Sequence, residues 1–288
     1  MLSPLARALH LDGAPPATDW LDAAANSLIP VAESPRLSAS CTLRCFGGQT
    51  RGDRECNTYG SWTLCEDVIT ASRRREPLVY SIGIGSNVAF DIAMVRAGAR
   101  VRAWDPTINS TLTKRLTKRL TPEERARFTF LPVGLADTEG VLPFFSLHDK
   151  GGGSLAVGQR GAGGDGRAGT AHPASHKKGV QTHGLVARLP TLQLLAGDAG
   201  ATIDVLKVDV EGAEWPIFAK RVPQWLRTRP PDQVAIELHE RWRADGAALR
   251  AAVFRNLWQC GYAFRHNSTS GEEVLFVRVA RPGPACAK

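Results

Sequence analysis

The sequence predicts an α/β fold with a mostly parallel sheet that is covered by helices on both faces. Short apolar runs typical of buried strands alternate with segments of helical spacing. Several of these apolar runs are followed directly by glycines or charged residues. The last two predicted strands, 262–265 and 274–279, flank the turn-forming residues 268–271 and predict a C-terminal antiparallel hairpin. The 288 residues, 43% of them hydrophobic, are enough for a sizeable core.

Composition and charge exclude several classes of protein. The chain carries 36 Lys and Arg against 28 Asp and Glu, a formal charge of +8, but the charges are interleaved. A basic stripe with interleaved aromatic residues is missing, so a nucleic-acid partner is disfavoured. The sequence has no run of about 18 apolar residues, which is the length that a membrane-spanning helix needs. Acidic residues interrupt the first 30 positions, which therefore do not resemble a signal peptide.

We expect three segments along the chain. Residues 1–70 form a loop-rich, cysteine-containing lead-in, residues 71–281 form the α/β domain, and 282–288 form a tail. A Gly-rich insertion at 150–185 interrupts the domain and has too few large apolar residues to order itself. Its histidines are interpreted as solvated loop residues rather than metal ligands; they are His172, His176 and His183.

The six cysteines are unevenly spaced, with four of them inside 25 residues. Those four allow three disulfide pairings, and the sequence does not choose between them. Zinc is a weaker alternative because no CxxC pair is present. The plainest expectation is one bridge together with free thiols. A bridge implies an oxidising compartment, which the N-terminal residues do not support. The cysteines are Cys41, Cys45, Cys56, Cys65, Cys260 and Cys286.

Each predicted element has a local reason. Asn87 can cap a helix that Gly98 ends, and Pro216 falls in the first turn of another helix, where proline is tolerated. The basic run 111–120 has leucines at helical spacing and is interpreted as a solvated helix. The predicted strands are 78–85, 101–104, 128–133, 141–147 (exposed), 203–210 and 234–238, and the predicted helices are 87–95, 111–120, 192–195, 214–225 and 247–258.

The end of the first strand and the end of the second suggest a nucleoside site. Gly83 and Gly85 would let the backbone approach a ligand, but the third glycine of a dinucleotide fingerprint is replaced by Val88. This favours a nucleoside without a diphosphate, with a plain tight turn as the alternative. Asp105, twenty residues after Gly85, can accept hydrogen bonds from both ribose hydroxyls, or can simply cap the turn before Pro106.

Charged residues crowd the ends of two later strands. Strand alternation would put Lys207, Asp209 and Glu211 on one side, and Glu237 and His239 share a face. If these two strands are neighbours, the carboxylates and the imidazole converge. They could then deprotonate a hydroxyl or an amine, or hold one divalent ion. The alternative is a structural Lys–Asp pair beside acids that favour a helix N-terminus.

Five segments with this order and spacing resemble the methyltransferase-like protein 24 family, which is close to the FkbM-type methyltransferases. The resemblance spans roughly residues 78–279, and the K-x-D-x-E-G-x-E block is its most specific motif. Cys45-Phe46-Gly47-Gly48, with Trp62 and Cys65 downstream, resembles the segment that precedes the domain in the former family. The five segments are 80–85, 103–106, 133–135, 206–215 and 236–239.

The resemblance implies a class I, Rossmann-like methyltransferase fold with a seven-stranded sheet that uses S-adenosylmethionine. It implies that Gly83, Gly85 and Ser86 approach the cofactor, that Asp105 binds its ribose, and that Gly134 and Leu135 lie near its adenine. It also implies that Asp209 borders the methyl group and the acceptor. With Asp209, the predicted catalytic residues are Lys207, Glu237 and His239.

The expected activity is methyl transfer from S-adenosylmethionine to oxygen on a small-molecule or glycan acceptor. One alternative is a binding module that kept the fold without catalysis, and a less favoured one is an NAD-dependent oxidoreductase. The sequence does not identify the acceptor or the oligomeric state. The cysteines and the resemblance favour the secretory pathway or Golgi, while the N-terminal residues favour the cytoplasm.

Overall fold

A computed structural model describes residues 41–48, 56, 60–71, 76–108, 114, 117–146, 153–155, 180–220, 222–279 and 286. Most of the lead-in and of the Gly-rich insertion, and half of the helix expected at 111–120, lie outside these residues. Within the described part of the chain, no helix is long and apolar enough to cross a membrane.

Strands and helices alternate along the chain as the sequence predicts. The strands are β1 Leu43–Phe46, β2 Trp62–Cys65, β3 Leu78–Ile82, β4 Arg100–Trp104, β5 Phe128–Leu131, β6 Val133–Leu135, β7 Gly140–Ser146, β8 Gly153–Leu155, β9 Val180–Ala187, β10 Val205–Val208, β11 Gln233–Glu237, β12 Tyr262–Asn267 and β13 Glu273–Arg278. The α-helices are α1 Glu66–Ala71, α2 Ala89–Arg96, α3 Pro122–Ala126, α4 Leu189–Leu195, α5 Gln224–Thr228 and α6 Gly246–Gln259. Thr117–Arg119 and Glu240–Trp242 form 3-10 turns, and Trp215–Ala219 forms a short π-helix.

The main sheet has seven strands in the order β12-β13-β11-β10-β3-β4-β5. The pairs from β11 through β5 are parallel, whereas β13 runs antiparallel to both of its neighbours. This confirms the predicted seven-stranded, mostly parallel sheet with its antiparallel C-terminal hairpin. Strand order reverses between β3 and β10, and the carboxyl ends of these two strands form the switch point where ligands bind in open α/β sheets.

Apolar layers cover both faces of this sheet. On one face α4, the π-helix and α6 pack against residues such as Tyr80, Leu206 and Ile236. On the other face α2 packs against Val79 and Val101. The strands are therefore buried on both sides, which explains why they form continuous apolar runs in the sequence.

The β1–β2 hairpin belongs to the second of these layers. The side chains of Trp62 and Leu64 are buried there, and β2 lies against β11 and β13. Gln233, a buried amide on β11, accepts a hydrogen bond from the Cys65 backbone N–H at 3.0 Å and donates to the Cys65 carbonyl at 3.3 Å. The part of the lead-in that the structure describes is thus attached to the sheet by polar as well as apolar contacts.

All six cysteines form disulfides, and the expectation of one bridge with free thiols is wrong. Antiparallel pairing of β1 with β2 brings distant cysteines together, which spacing along the chain could not reveal. Thiols that are consumed in disulfides are no longer available as zinc ligands. The pairs are Cys41–Cys65, Cys45–Cys56 and Cys260–Cys286, with Cα–Cα distances of 5.1, 5.2 and 4.9 Å.

Several element boundaries differ from the sequence expectation. The strand expected at 128–133 divides into β5 and β6, and β6 joins β7, β8 and β9 in a separate four-stranded sheet. Residues 153–155 and 180–185, which the sequence assigned to the Gly-rich insertion, lie in β8 and β9. The single helix expected at 214–225 is instead the π-helix followed by α5, whose N-cap is Pro223. Proline cannot donate a backbone hydrogen bond, so a continuous helix would end there.

Candidate active site

The candidate site lies at the carboxyl ends of β3, β4, β10 and β11. Gly83 follows β3, Asp105 follows β4, and Asp209 follows β10. Glu237 is the last residue of β11, and His239 comes two positions later. Because β10 pairs with both β3 and β11 in parallel, the strand-end residues that the sequence predicted meet at one edge of the sheet.

The turn after β3 depends on glycine at its first position. Gly83 has a φ of 72°, and a Cβ added to it would lie 1.6 Å from the carbonyl oxygen of Asp209. Gly85 also has a positive φ, 53°, but no described atom lies within 4 Å of the position its Cβ would take. The two glycines therefore differ: one permits a close backbone approach, and the other borders open space. Ser86, next along the turn, is exposed.

Asp105 is buried beside this turn. Its Oδ2 accepts a hydrogen bond from the Gly85 N–H at 3.0 Å, and its Oδ1 accepts from the Thr107 N–H at 2.8 Å and from Thr107 Oγ1 at 2.6 Å. Burial raises the pKa of Asp105, while these hydrogen bonds and the charge of Lys207 oppose that rise. The structure thus brings Asp105 and the glycine turn into direct contact.

Gly134 and Leu135 lie in β6, and Gly134 lies against Pro106, the residue that follows Asp105. A Cβ on Gly134 would lie 3.0 Å from the ring of Pro106. The side chain of Leu135 is buried in the apolar core and points away from open space. All three residues of β6 are buried.

Lys207 is a buried cation under the glycine turn. Its Nζ donates to the carbonyl oxygens of Ile82 at 3.2 Å and Gly83 at 2.5 Å, and it lies 3.4 Å from Asp209 Oδ2. Nζ also lies 5.2 Å from the ring centroid of Trp62, a cation–π distance. Because Nζ has three N–H donors and three oxygen partners, its contacts position the turn and the Asp209 carboxylate.

Carboxylates surround the imidazole of His239. Nε2 lies 3.4 Å from Glu211 Oε2 and 3.6 Å from Glu237 Oε1, and burial together with the charge of Asp209 raises the pKa of Glu237. The predicted convergence of Asp209, Glu237 and His239 is therefore present. Glu211 reaches the cluster by a route that strand alternation did not predict: β10 ends at Val208, and Glu211 turns back with a φ of 52°.

Glu214 holds His239 from the opposite side, a role that the sequence analysis missed. This carboxylate is fully buried, and its Oε1 accepts from the His239 backbone N–H at 2.9 Å and lies 3.0 Å from Nδ1. Its Oε2 accepts from the Gly212 N–H at 2.8 Å. The ring of Trp242 packs on the imidazole at 4.3 Å. Glu214 is the last acid of the K-x-D-x-E-G-x-E block, so the sequence marked it as a candidate site residue. Its partner, His239, is remote in sequence, so their contact could not be predicted.

The crowding of charges shifts the proton affinities of this cluster. Burial lowers the pKa of His239, but the hydrogen bond that the ring donates to Glu214 and the charges of Glu214, Glu237 and Glu211 outweigh it and raise the pKa to about 9. Burial and the charge of Asp209 raise the pKa of Glu237 to about 8. Burial likewise raises the pKa of Glu211. Near neutral pH the imidazole therefore carries a proton, and Glu237 binds its proton more tightly than an ordinary carboxylate.

The sheet order, the glycine turn and the acid after β4 together define a Rossmann-like methyltransferase fold. The methyltransferase FkbM domain family matches residues 78–264, well over half of the chain. The protein therefore belongs to the FkbM methyltransferase family, which confirms the FkbM part of the resemblance. No curated protein matches the chain.

Proposed function

We propose that the protein transfers the methyl group of S-adenosylmethionine to a hydroxyl oxygen of a small-molecule or glycan acceptor. The observation that carries this proposal is the direct contact between the Asp105 carboxylate and the Gly85 amide, next to the carboxylate–imidazole cluster. A nucleoside site and a proton-accepting site then adjoin each other, as an alkylation by a nucleoside donor requires.

The residues at the turn fit such a nucleoside. Open space borders Gly85, so a ligand can lie against the backbone there. Within the described part of the chain, Asp105 Oδ2 accepts one hydrogen bond, which leaves it capacity for a ribose hydroxyl. Val88 in place of a third glycine disfavours a pyrophosphate at the same turn. We assign Gly83, Gly85, Ser86 and Asp105 to cofactor binding, with the Gly134–Leu135 backbone beside the adenine.

When bound, the cofactor supplies an electrophilic methyl group attached to a sulfonium sulfur. The electron pair of the S–C bond returns to sulfur as the methyl group is transferred. The protein's main task is to align the acceptor oxygen with that carbon. We assign Glu237, in its ionised form, as the base that takes the hydroxyl proton while the new O–C bond forms; because its pKa is raised to about 8, this form becomes dominant only in mildly basic solution. Its side chain is about one-fifth exposed, at 21%, so an acceptor can reach it.

The other residues of the cluster support Glu237. Glu214 fixes the ring of His239, so that Nε2 faces the Glu237 carboxylate. A protonated imidazole there stabilises the negative charge that develops on the acceptor oxygen. Lys207 fixes Asp209 and the glycine turn in one arrangement, so we assign it as a positioning residue.

Two narrower statements belong to the same proposal. The cysteine-containing segment from Cys45 to Cys65 supports membership of the methyltransferase-like protein 24 family within the wider group. The three disulfides support folding in an oxidising compartment such as the secretory pathway, since disulfides persist there and are rare in a reducing cytosol.

Titration calorimetry of the disulfide-intact chain tests the proposal, with S-adenosylmethionine, S-adenosylhomocysteine and, as a control, NADH. Binding of both sulfur nucleosides and not of NADH is expected. Turnover of hydroxyl-bearing acceptors should then fall at least about 100-fold in Glu237→Gln, since general-base catalysis contributes about 10²–10⁴-fold. Cofactor binding without turnover of any acceptor would favour a non-catalytic module. Binding of NADH alone would favour an oxidoreductase.

A further inference from the structure

We infer that Asp209, Glu211 and His239 form a binding site for one divalent first-row cation, of which Mn²⁺ is the type that suits them best. Asp209 and Glu211 follow β10, and His239 follows β11, so the three side chains come from two adjacent strand ends. Their ligand atoms all lie within 4.8 Å of one another.

The distances between the ligand atoms are short enough for all three side chains to share one ion. Metal–nitrogen and metal–oxygen bonds of 2.0–2.2 Å place neighbouring ligand atoms roughly 3.0–3.5 Å apart. The Nε2–Oε2 distance between His239 and Glu211 is 3.4 Å, within that interval. Small side-chain rotations would bring the Asp209 oxygen to the same centre, because Asp209 and Glu211 are both partly exposed.

The environment of His239 is independent evidence for a bound cation. The imidazole is 1% exposed, and its Nδ1 faces the buried Glu214 carboxylate at 3.0 Å. Metal-binding histidines almost always donate their other ring N–H to a carboxylate or carbonyl in this way, which fixes the ring and raises its basicity. Trp242 packs on the same ring at 4.3 Å and restricts its rotation. Nε2 is thus presented to the acids in a fixed orientation.

The surrounding charges favour a cation with more than one positive charge. Four carboxylates lie at this sheet edge: those of Asp209, Glu211, Glu214 and Glu237. Lys207 contacts Asp209 at 3.4 Å, so one of the four is compensated by a fixed ammonium. Carboxylate oxygens suit Mn²⁺ and Mg²⁺, whereas an imidazole nitrogen suits transition metals, so a mixed set selects a first-row divalent ion.

The role of this ion, though not its binding, rests on the proposed methyltransferase function. A divalent cation at the cluster would displace the proton from His239 Nε2 and take over the charge-stabilising role of the imidazolium. It would also bind the acceptor oxygen and lower the pKa of its hydroxyl. Glu237, whose Oε1 lies 3.6 Å from Nε2, remains outside the three-ligand set and takes the released proton. The methyl group then passes to that oxygen, so the ion is not consumed.

Mn²⁺ binding to the chelator-treated, disulfide-intact chain tests the site without any cofactor or acceptor. Electron paramagnetic resonance of free Mn²⁺ and calorimetry should show one binding site. We expect His239→Gln and Glu211→Gln to weaken binding more than tenfold, and Glu214→Gln to weaken it about 10–100-fold through loss of its support for the imidazole. Glu240→Gln is the matched control, because this half-exposed neighbouring acid pairs only loosely with Arg250, at 3.8 Å.

The outcomes separate this inference from the proposed function. Circular dichroism of each variant establishes folding, and Glu211 is exposed enough for its variant to fold even if that of His239 does not. Failure of the folded wild-type chain to bind Mn²⁺ at millimolar concentration would overturn the inference. An equal loss in Glu240→Gln would overturn it as well, since only diffuse attraction would then remain. If Mn²⁺ does not bind but S-adenosylmethionine does, the proposed function stands alone.

Discussion

Replacement of Asp105 by alanine tests the proposed cofactor site most directly. The carboxylate is buried and accepts three hydrogen bonds from Gly85 and Thr107. Alanine removes every acceptor at this position but adds no atom that could clash. The backbone N–H groups of Gly85 and Thr107 lose their partners, but both residues are partly exposed and water can replace the lost oxygens.

The magnitude follows from the hydrogen bonds that a ribose would make. A hydrogen bond to a charged group contributes about 1.5–3 kcal/mol, which is the expected cost of losing the one hydroxyl contact that Oδ2 can still accept. We therefore expect S-adenosylmethionine to bind at least about 10-fold more weakly to Asp105→Ala. Stability should fall by only about 1–2 kcal/mol, because the two amides become hydrated.

Titration calorimetry at several cofactor concentrations measures this change, and thermal unfolding establishes that the variant is folded. Thr107→Val is the matched control, because it removes the hydroxyl that donates to Oδ1 at 2.6 Å but keeps the carboxylate. Its affinity should fall less than tenfold, by about 1 kcal/mol. An Asp105→Ala affinity within threefold of wild type, in a folded protein, would refute the ribose assignment.

Three further predictions concern stability. Between pH 6.5 and 8 the folded chain retains protons on His239 and Glu237 that the unfolded chain releases, because their pKa values are raised to about 9 and about 8. Denaturant unfolding should therefore show that the free energy of unfolding falls as pH rises, by about 1 kcal/mol per pH unit for each group. The double variant His239→Gln, Glu237→Gln should show a smaller dependence on pH. Identical slopes in the wild type and the double variant would contradict this prediction. Cys260→Ser should cost about 3 kcal/mol in urea unfolding, since its disulfide closes a sequence separation of 26 residues, and a loss below 1 kcal/mol would contradict the prediction. Gly83→Ala should lower the free energy of unfolding by about 2–3 kcal/mol, because its Cβ would lie 1.6 Å from a backbone oxygen. Gly98→Ala, where φ is 92° and the Cβ would meet open space, should lower it by about 1 kcal/mol. Equal losses in the two variants would contradict the steric argument.

Residues adjacent to strands were the most predictable part of the molecule. Parallel strands end at one edge of a sheet, so the sequence positions of Gly83, Asp105 and Asp209 were enough to predict their proximity. The seven-stranded sheet followed from apolar runs and from the resemblance. Neither source required knowledge of long-range side-chain contacts.

Contacts between elements remote in sequence were not predictable. Glu214 supports His239 across 25 positions, and Gln233 binds the Cys65 backbone across 168 positions. Neither pair has a local pattern, because each depends on how two layers pack. The Cys41–Cys65 disulfide was hidden as well, since it depends on the β1–β2 pairing that places Cys65 opposite Leu43.

The position of β13 in the sheet limits how far the chain can be truncated. The family match covers residues 78–264. β13, which lies between β11 and β12 in the sheet, comes after residue 264. The β1–β2 hairpin, which packs on the same face of the sheet as α2, comes before residue 78. A recombinant fragment limited to the match would leave β11 with an unpaired edge and an uncovered apolar surface. Exposed edges of this kind recruit strands from other molecules, so we expect that fragment to aggregate. The smallest unit that folds independently is therefore longer than the segment that identifies the family.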